Sequence, residues 1–151
     1  MAGDSQDIVS QLRRELPGLL MDRPVLVAYL YGSLARGEAT PLSDVDIALV
    51  TEQPLPSLDR LDLELDVEVE LSAMGLSEAD VRVIDQAPPA VRGRVVTEGI
   101  LLYCRDERKR AAFEAQARAQ YFDLQPVLRE QWQTYVRAAL IDLEARGVYD
   151  R

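Results

Sequence analysis

The sequence predicts a single domain of the α/β or α+β class. Three observations carry that expectation. Four short apolar runs of strand length are spread along the chain, helical patterns lie between them, and a long stretch of helical composition closes it. With 151 residues, 48% hydrophobic and 28% charged, there is material for one sizeable core and no compositional sign of disorder.

From the N-terminus, Asp4 or Ser5 is placed to cap a first helix to about Leu16. Ile8, Val9, Leu12 and Leu16 lie on one side of it, and Pro17-Gly18 breaks it. Val25 to Tyr31 is apolar throughout and reads as a buried strand ended by Gly32. A polar segment, Ser33 to Ser43, precedes a second strand, Asp44 to Val50, which Thr51 to Pro56 stops. Leu61 to Leu71 then alternates apolar and acidic residues, the period of a half-buried strand. A helix with Leu58, Leu61, Leu65, Val69 and Ala73 on one stripe competes with it. The helix is favoured, because Ser57 to Met74 is long for a strand and parallel strands are usually joined by a helical crossover. Asp80 to Asp85 reads as a third strand, Pro88-Pro89 opens a short helix to about Glu98, and Ile100 to Tyr103 is a fourth strand. Asp106 to Arg146 is helical in composition, interrupted by Pro126 and stopped by Gly147. The order α-β-β-α-β-α-β-α-α gives one domain over 1–151, with a core at about 8–104 and a C-terminal helical part at about 105–147.

Composition narrows the chemistry. Twenty-six acidic residues against seventeen basic leave a net charge of -9, which argues against gripping a nucleic-acid backbone. The chain has no histidine, so a Ser-His-Asp triad, a His-ligated zinc or a histidine base is impossible within it. Its one cysteine, Cys104, excludes disulfide frameworks and reads as a buried thiol. The N-terminus is polar and acidic, and the seven-residue run Val25 to Tyr31 is far short of the ~20 residues a membrane helix needs. A cytoplasmic protein with no membrane contact is the expectation.

The informative stretch is Gly32 to Asp46. Asp44 and Asp46 open a strand two residues apart, so alternation puts both carboxylates on one face, roughly 6.5–7 Å apart along the backbone. Charges opening an apolar strand need a cation, and paired carboxylates suit Mg2+. Asp80, beginning the next strand, would complete a seat for two-metal phosphoryl chemistry. Upstream, Gly32-Ser33 lies where a strand turns into a helix; glycine admits a phosphate close to the backbone, and the turn offers N–H donors. Gly32 to Gly37 fits the start of a P-loop, but Glu38-Ala39 stands where its Lys and Ser/Thr belong, and an acid there would repel phosphate. No GxGxxG occurs, so a dinucleotide fold has no support.

Gly32-Ser33, ten residues, then Asp44-Val45-Asp46 resembles the signature of polymerase-β-like nucleotidyltransferases. With Arg36-Gly37, Ser43-Asp44, and Asp80 to Ile84, Ala87-Pro88-Pro89 and Val95 to Tyr103 downstream, the chain resembles the minimal nucleotidyltransferase (MNT) antitoxins encoded beside HEPN-domain toxins. The resemblance spans about residues 8–140. It implies a small mixed sheet of about four strands flanked by helices. It also implies transfer of AMP from ATP to a tyrosine of a HEPN-type RNase toxin, within a hetero-oligomer. Carried over, Asp44 and Asp46 hold two Mg2+ ions, and Asp80 shares one and helps deprotonate the acceptor. Gly32, Ser33, Arg36 and Ser43 contact the triphosphate. Ala79 stands where the family usually has a larger apolar residue before its third aspartate, which leaves Asp85, or an acid between Asp62 and Glu70, open as the third ligand. Two other readings share the motif: a small-molecule, aminoglycoside-type nucleotidyltransferase, and an antitoxin acting by contact alone.

The remaining features have plainer readings. Arg36 is placed to pair with Glu38 or Asp44 as well as with phosphate. The acidic run Asp59 to Glu70 reads as a solvated face. Arg105, Arg108, Lys109 and Arg110 read as a solvent-facing helix start. Trp132, Tyr135, Val136, Leu140 and Leu143 form a stripe that reads as core or interface.

Overall fold

A computed structural model describes residues 2–38, 44–76 and 78–147. The elements are α1 (Ala2–Leu20), β1 (Val25–Tyr31), α2 (Gly32–Ala35), β2 (Val45–Thr51), α3 (Ser57–Ala73), β3 (Ala79–Val83), α4 (Pro89–Glu98), β4 (Ile100–Cys104) and α5 (Glu107–Ala145). The four strands form one sheet in the order β3-β2-β1-β4. β1 pairs antiparallel with β2 and β4, whereas β2 and β3 run parallel because α3 crosses between them. The sheet is therefore mixed.

Helices cover both faces. On one, Leu12, Leu16 and Leu20 of α1 and Leu63, Val67 and Leu71 of α3 pack on Ala28, Leu30, Ile47, Leu49 and Val81. On the other, Val95 of α4 and Phe113 of α5 meet Val27, Tyr29, Ala48, Val50 and Ile84. Strand alternation decides which side chains share a face, so Tyr31 and Asp46 lie on the α4/α5 side with Tyr29, Ala48 and Val50.

Three sequence expectations need correction. The first helix starts at Ala2 rather than at a cap on Asp4 or Ser5, and it runs through Pro17 to Leu20. Pro17 forfeits one backbone bond, but Leu19 and Leu20 are buried against the sheet, and that burial outweighs the loss. Pro126 likewise lies inside a continuous α5, flanked on both sides by turns rich in strong helix formers. Residues Ser57 to Ala73 are helical as expected, but the buried face was misread. Leu63, Val67 and Leu71 are buried, while Leu58, Leu61, Leu65 and Val69 are 75%, 49%, 49% and 68% exposed. Arg105 is exposed, as expected of a helix start, but its side chain is engaged. Its guanidinium donates to the carbonyls of Leu20, Met21 and Arg23 and to Glu52, stitching the end of α1 to the start of α5.

Along α5, the C-terminal stripe is surface. Trp132, Tyr135 and Leu140 are 65%, 66% and 45% exposed, with the Trp132 and Tyr135 rings stacked at 5.7 Å. Cys104 is half-buried, and burial raises its thiol pKa, as an inert thiol requires. Among the described residues, no helix is long and apolar enough to cross a membrane.

Candidate active site

The register of the sheet assembles the site. Tyr31 of β1 lies opposite Asp46 of β2, and Asp46 is the register partner of Asp80 of β3. The three therefore stand abreast on one face, with neighbouring strands about 4.8 Å apart. Asp44 immediately precedes β2 and is exposed. The charges feel one another. Burial is the first cause raising the pKa of Asp46, the charges of Asp80 and Asp44 add to it, and Arg36 alone opposes. Burial and then the charges of Asp46 and Asp80 also raise the hydroxyl pKa of Tyr31.

Gly32 could not be another residue. Its φ is +76°, a conformation side chains rarely adopt, and a Cβ there would lie 2.3 Å from Asp46 Oδ2. The carboxylate thus rests against bare backbone where the chain turns from β1 into α2. That helix is a single turn, Gly32–Ala35, so it supplies N–H groups of one turn rather than the dipole of a long helix. Ser33 lies within it, and Ser43 lies outside the described residues.

Beside this turn, on the same face of the sheet, is a cleft of about 490 Å3 lined by Tyr31, Gly32, Arg36, Ala90, Val91, Arg94, Val95, Glu98 and Tyr121. Two guanidiniums reach it. Arg36 pairs with Glu38 at 3.2 Å and with Glu98 at 3.8 Å, and Arg94 shares Glu98 at 3.8 Å. The back wall is built by close approach: a Cβ on Gly93 would lie 2.2 Å from Tyr121 Cβ, so α4 and α5 pack in direct contact there. Arg94 and Tyr121 carry no sequence motif; only the packing of α4 on α5 brings them to Gly32.

The acids fit a hard divalent cation in kind, being oxygen donors whose mutual repulsion only positive charge relieves. Among the described residues, however, no three His, Cys, Asp or Glu side chains are grouped closely enough to hold a metal ion. The Asp80 carboxylate is instead turned to Arg82 at 3.1 Å. Arg82 was readable in principle, since it follows Asp80 by two residues on the same face of β3. Two of the other acids considered for the third position have different employment. Asp85 accepts from the Thr51 amide and hydroxyl at 3.0 and 2.7 Å, and Glu68 from the Val81 amide at 2.9 Å.

Comparison with known proteins bears on the family and the fold. The chain is 26% identical over 92 residues to "Putative protein adenylyltransferase MJ0435" of Methanocaldococcus jannaschii, covering 61% of this chain and 95% of that one. A chain in a crystal structure of a toxin–antitoxin pair with AMP-PNP superposes with TM-score 0.66 at 23% identity, covering 82% of this chain and 98% of that one. A chain in the complex of tri-AMPylated Shewanella oneidensis HEPN toxin with MNT antitoxin gives TM-score 0.64 at 21% identity, covering 85% and 98%. At such identities these two structures speak for the shared fold. The family described as polymerase beta, nucleotidyltransferase matches residues 15–108, a span holding every strand, Gly32-Ser33 and all three aspartates, and the chain belongs to that family.

Proposed function

We propose that this protein is a Mg2+-dependent protein adenylyltransferase that silences a HEPN-type toxin by transferring AMP from ATP to one of its tyrosines. The observation that carries the reading is the row of Asp46 and Asp80, in register on adjacent strands, beside the side-chain-free turn at Gly32 and a cleft with two arginines. The relatives add support. One bears the description of a protein adenylyltransferase, and others come from toxin–antitoxin complexes, one with AMP-PNP and one with an AMPylated toxin.

Asp44, Asp46 and Asp80 are the residues that would hold Mg2+, which when bound neutralises the charge developing on the transferred phosphoryl group. The exposed ion pair of Asp80 with Arg82 is worth little and is readily given up. The turn at Gly32, which lets the Asp46 carboxylate lie against the backbone, would offer N–H donors to phosphate oxygens, and Ser33 and Ser43 would add hydroxyl donors. Arg36 and Arg94 draw the triphosphate into the cleft, while Val91 and Tyr121 offer apolar surface to the base. The acceptor tyrosine oxygen attacks the α-phosphorus, its proton passing to Asp80. The bond between the α-phosphorus and the bridging oxygen breaks, and pyrophosphate leaves. Nothing in this sequence of events needs a histidine, because preorganised charge supplies the stabilisation.

The test is to incubate the protein with ATP, Mg2+ and the HEPN-type protein encoded beside it, and to weigh that protein intact. AMP-sized increments that vanish with Asp44→Ala are expected, and Arg94→Ala should raise the KM for ATP about tenfold. Increments that persist in Asp44→Ala overturn the mechanism. A toxin silenced equally well by Asp46→Ala would leave binding alone as the mode of action.

A further inference from the structure

The misread face of α3 has a use. Leu58, Leu61, Leu65 and Val69 follow one another at spacings of three, four and four residues, so they form a continuous apolar ridge about 16 Å long. At about 100° per residue this ridge lies opposite the fully buried Val67, and so points away from the core. Asp59, Asp62, Asp66 and Glu70 line one side of it, all exposed. Among the described residues, none of these four forms an ion pair. Four large apolar side chains in solvent beside a row of unpaired acids do nothing for this domain on its own.

We infer that the α3 ridge is the docking surface for the protein that this chain modifies, and that it receives a basic amphipathic helix. Charge selects that occupant. A partner helix with Lys or Arg beside an apolar stripe would bury the leucines and pair the acids. A second α3 would set like charges against each other, and the phosphates of nucleic acid or of anionic lipid would be repelled. Position agrees with a substrate-docking role. α3 packs along β3, the edge strand, on the face of the sheet opposite the Asp46–Asp80 row, so a partner seated on α3 reaches the row by passing round that edge. The inference rests on the toxin reading for the identity of the partner.

The experiment measures the affinity between this chain and the HEPN-type protein encoded beside it, together with AMP transfer and binding of a non-hydrolysable ATP analogue. Leu61→Ala/Leu65→Ala should weaken the complex about thirtyfold or more, as central apolar anchors do, and leave analogue binding unchanged. Asp62→Lys/Asp66→Lys should slow association and abolish its salt dependence. This second pair touches no core contact, so it decides the matter if the leucine variant melts early. Affinities of both pairs within about threefold of wild type overturn the docking surface while the transfer reading stands. A wild-type chain that neither binds nor modifies the companion overturns both.

Discussion

Asp46 carries a conflict between stability and use. It is half-buried, next to Asp80 and Asp44, and its pKa is raised above the ordinary 3.8. A carboxyl whose folded-state pKa is raised lends stability that is fully present below the unfolded pKa and is lost as pH rises through the folded one. At neutral pH the ionised group is thus a cost, which a bound cation would repay. Asp46→Asn should therefore raise the melting temperature at pH 7 by about 1–3 °C. The gain should disappear as pH falls below the window in which Asp46 titrates. The same variant should lose transfer by about a thousandfold or more. Thermal melts at several pH values, with and without millimolar Mg2+, check the sign; a variant that melts below wild type at pH 7 contradicts it. Asp44-x-Asp46 and Gly32-Ser33 were legible in the sequence because their spacing is itself the chemistry. Arg94 and Tyr121 were not, because they reach Gly32 only through the packing of two helices.

At the scale of elements, α3 shows what periodicity can and cannot decide. Apolar and acidic residues alternate so regularly from Leu61 to Leu71 that the chain carries two apolar stripes, Leu63-Val67-Leu71 and Leu61-Leu65-Val69. Both have helical spacing, and a hydrophobicity pattern cannot choose between them. The choice is made by the crossover: α3 leaves β2 and returns to β3 in parallel, and only one face then meets α1 and the sheet. Leu71→Ala, fully buried, should cost about 2–5 kcal/mol. Leu65→Ala, half exposed, should stay within about 0.5 kcal/mol. Urea titration of both variants tests this, and equal costs would mean that α3 packs the other way round.

Across the whole molecule, the core ends before the chain does. The last buried residue on α5 is Ala117, and beyond it the helix has no buried side chain among the described residues. Removal of residues 126–151 should therefore shift the melting temperature by no more than about 2–3 °C and leave nucleotide binding intact. A loss of cooperative melting would show that the outer half of α5 is needed for folding. The prolines teach the same point about scale. Pro17 and Pro126 read locally as breaks, yet both helices continue, because burial of Leu19 and Leu20 in one case and helix-forming neighbours in the other outweigh one lost backbone bond.

The sequence by itself determined the strands, the candidate chemistry and the family. Apolar runs bounded by Gly and Pro can do little but form buried strands, and a chain without histidine and with one cysteine points to carboxylates and arginines as the candidate groups. Tertiary structure alone decided which carboxylates stand together, which face of α3 meets solvent, and which residues close the cleft. Those are relations between segments far apart in the chain, set by strand register and helix packing, and local spacing carries no information about either.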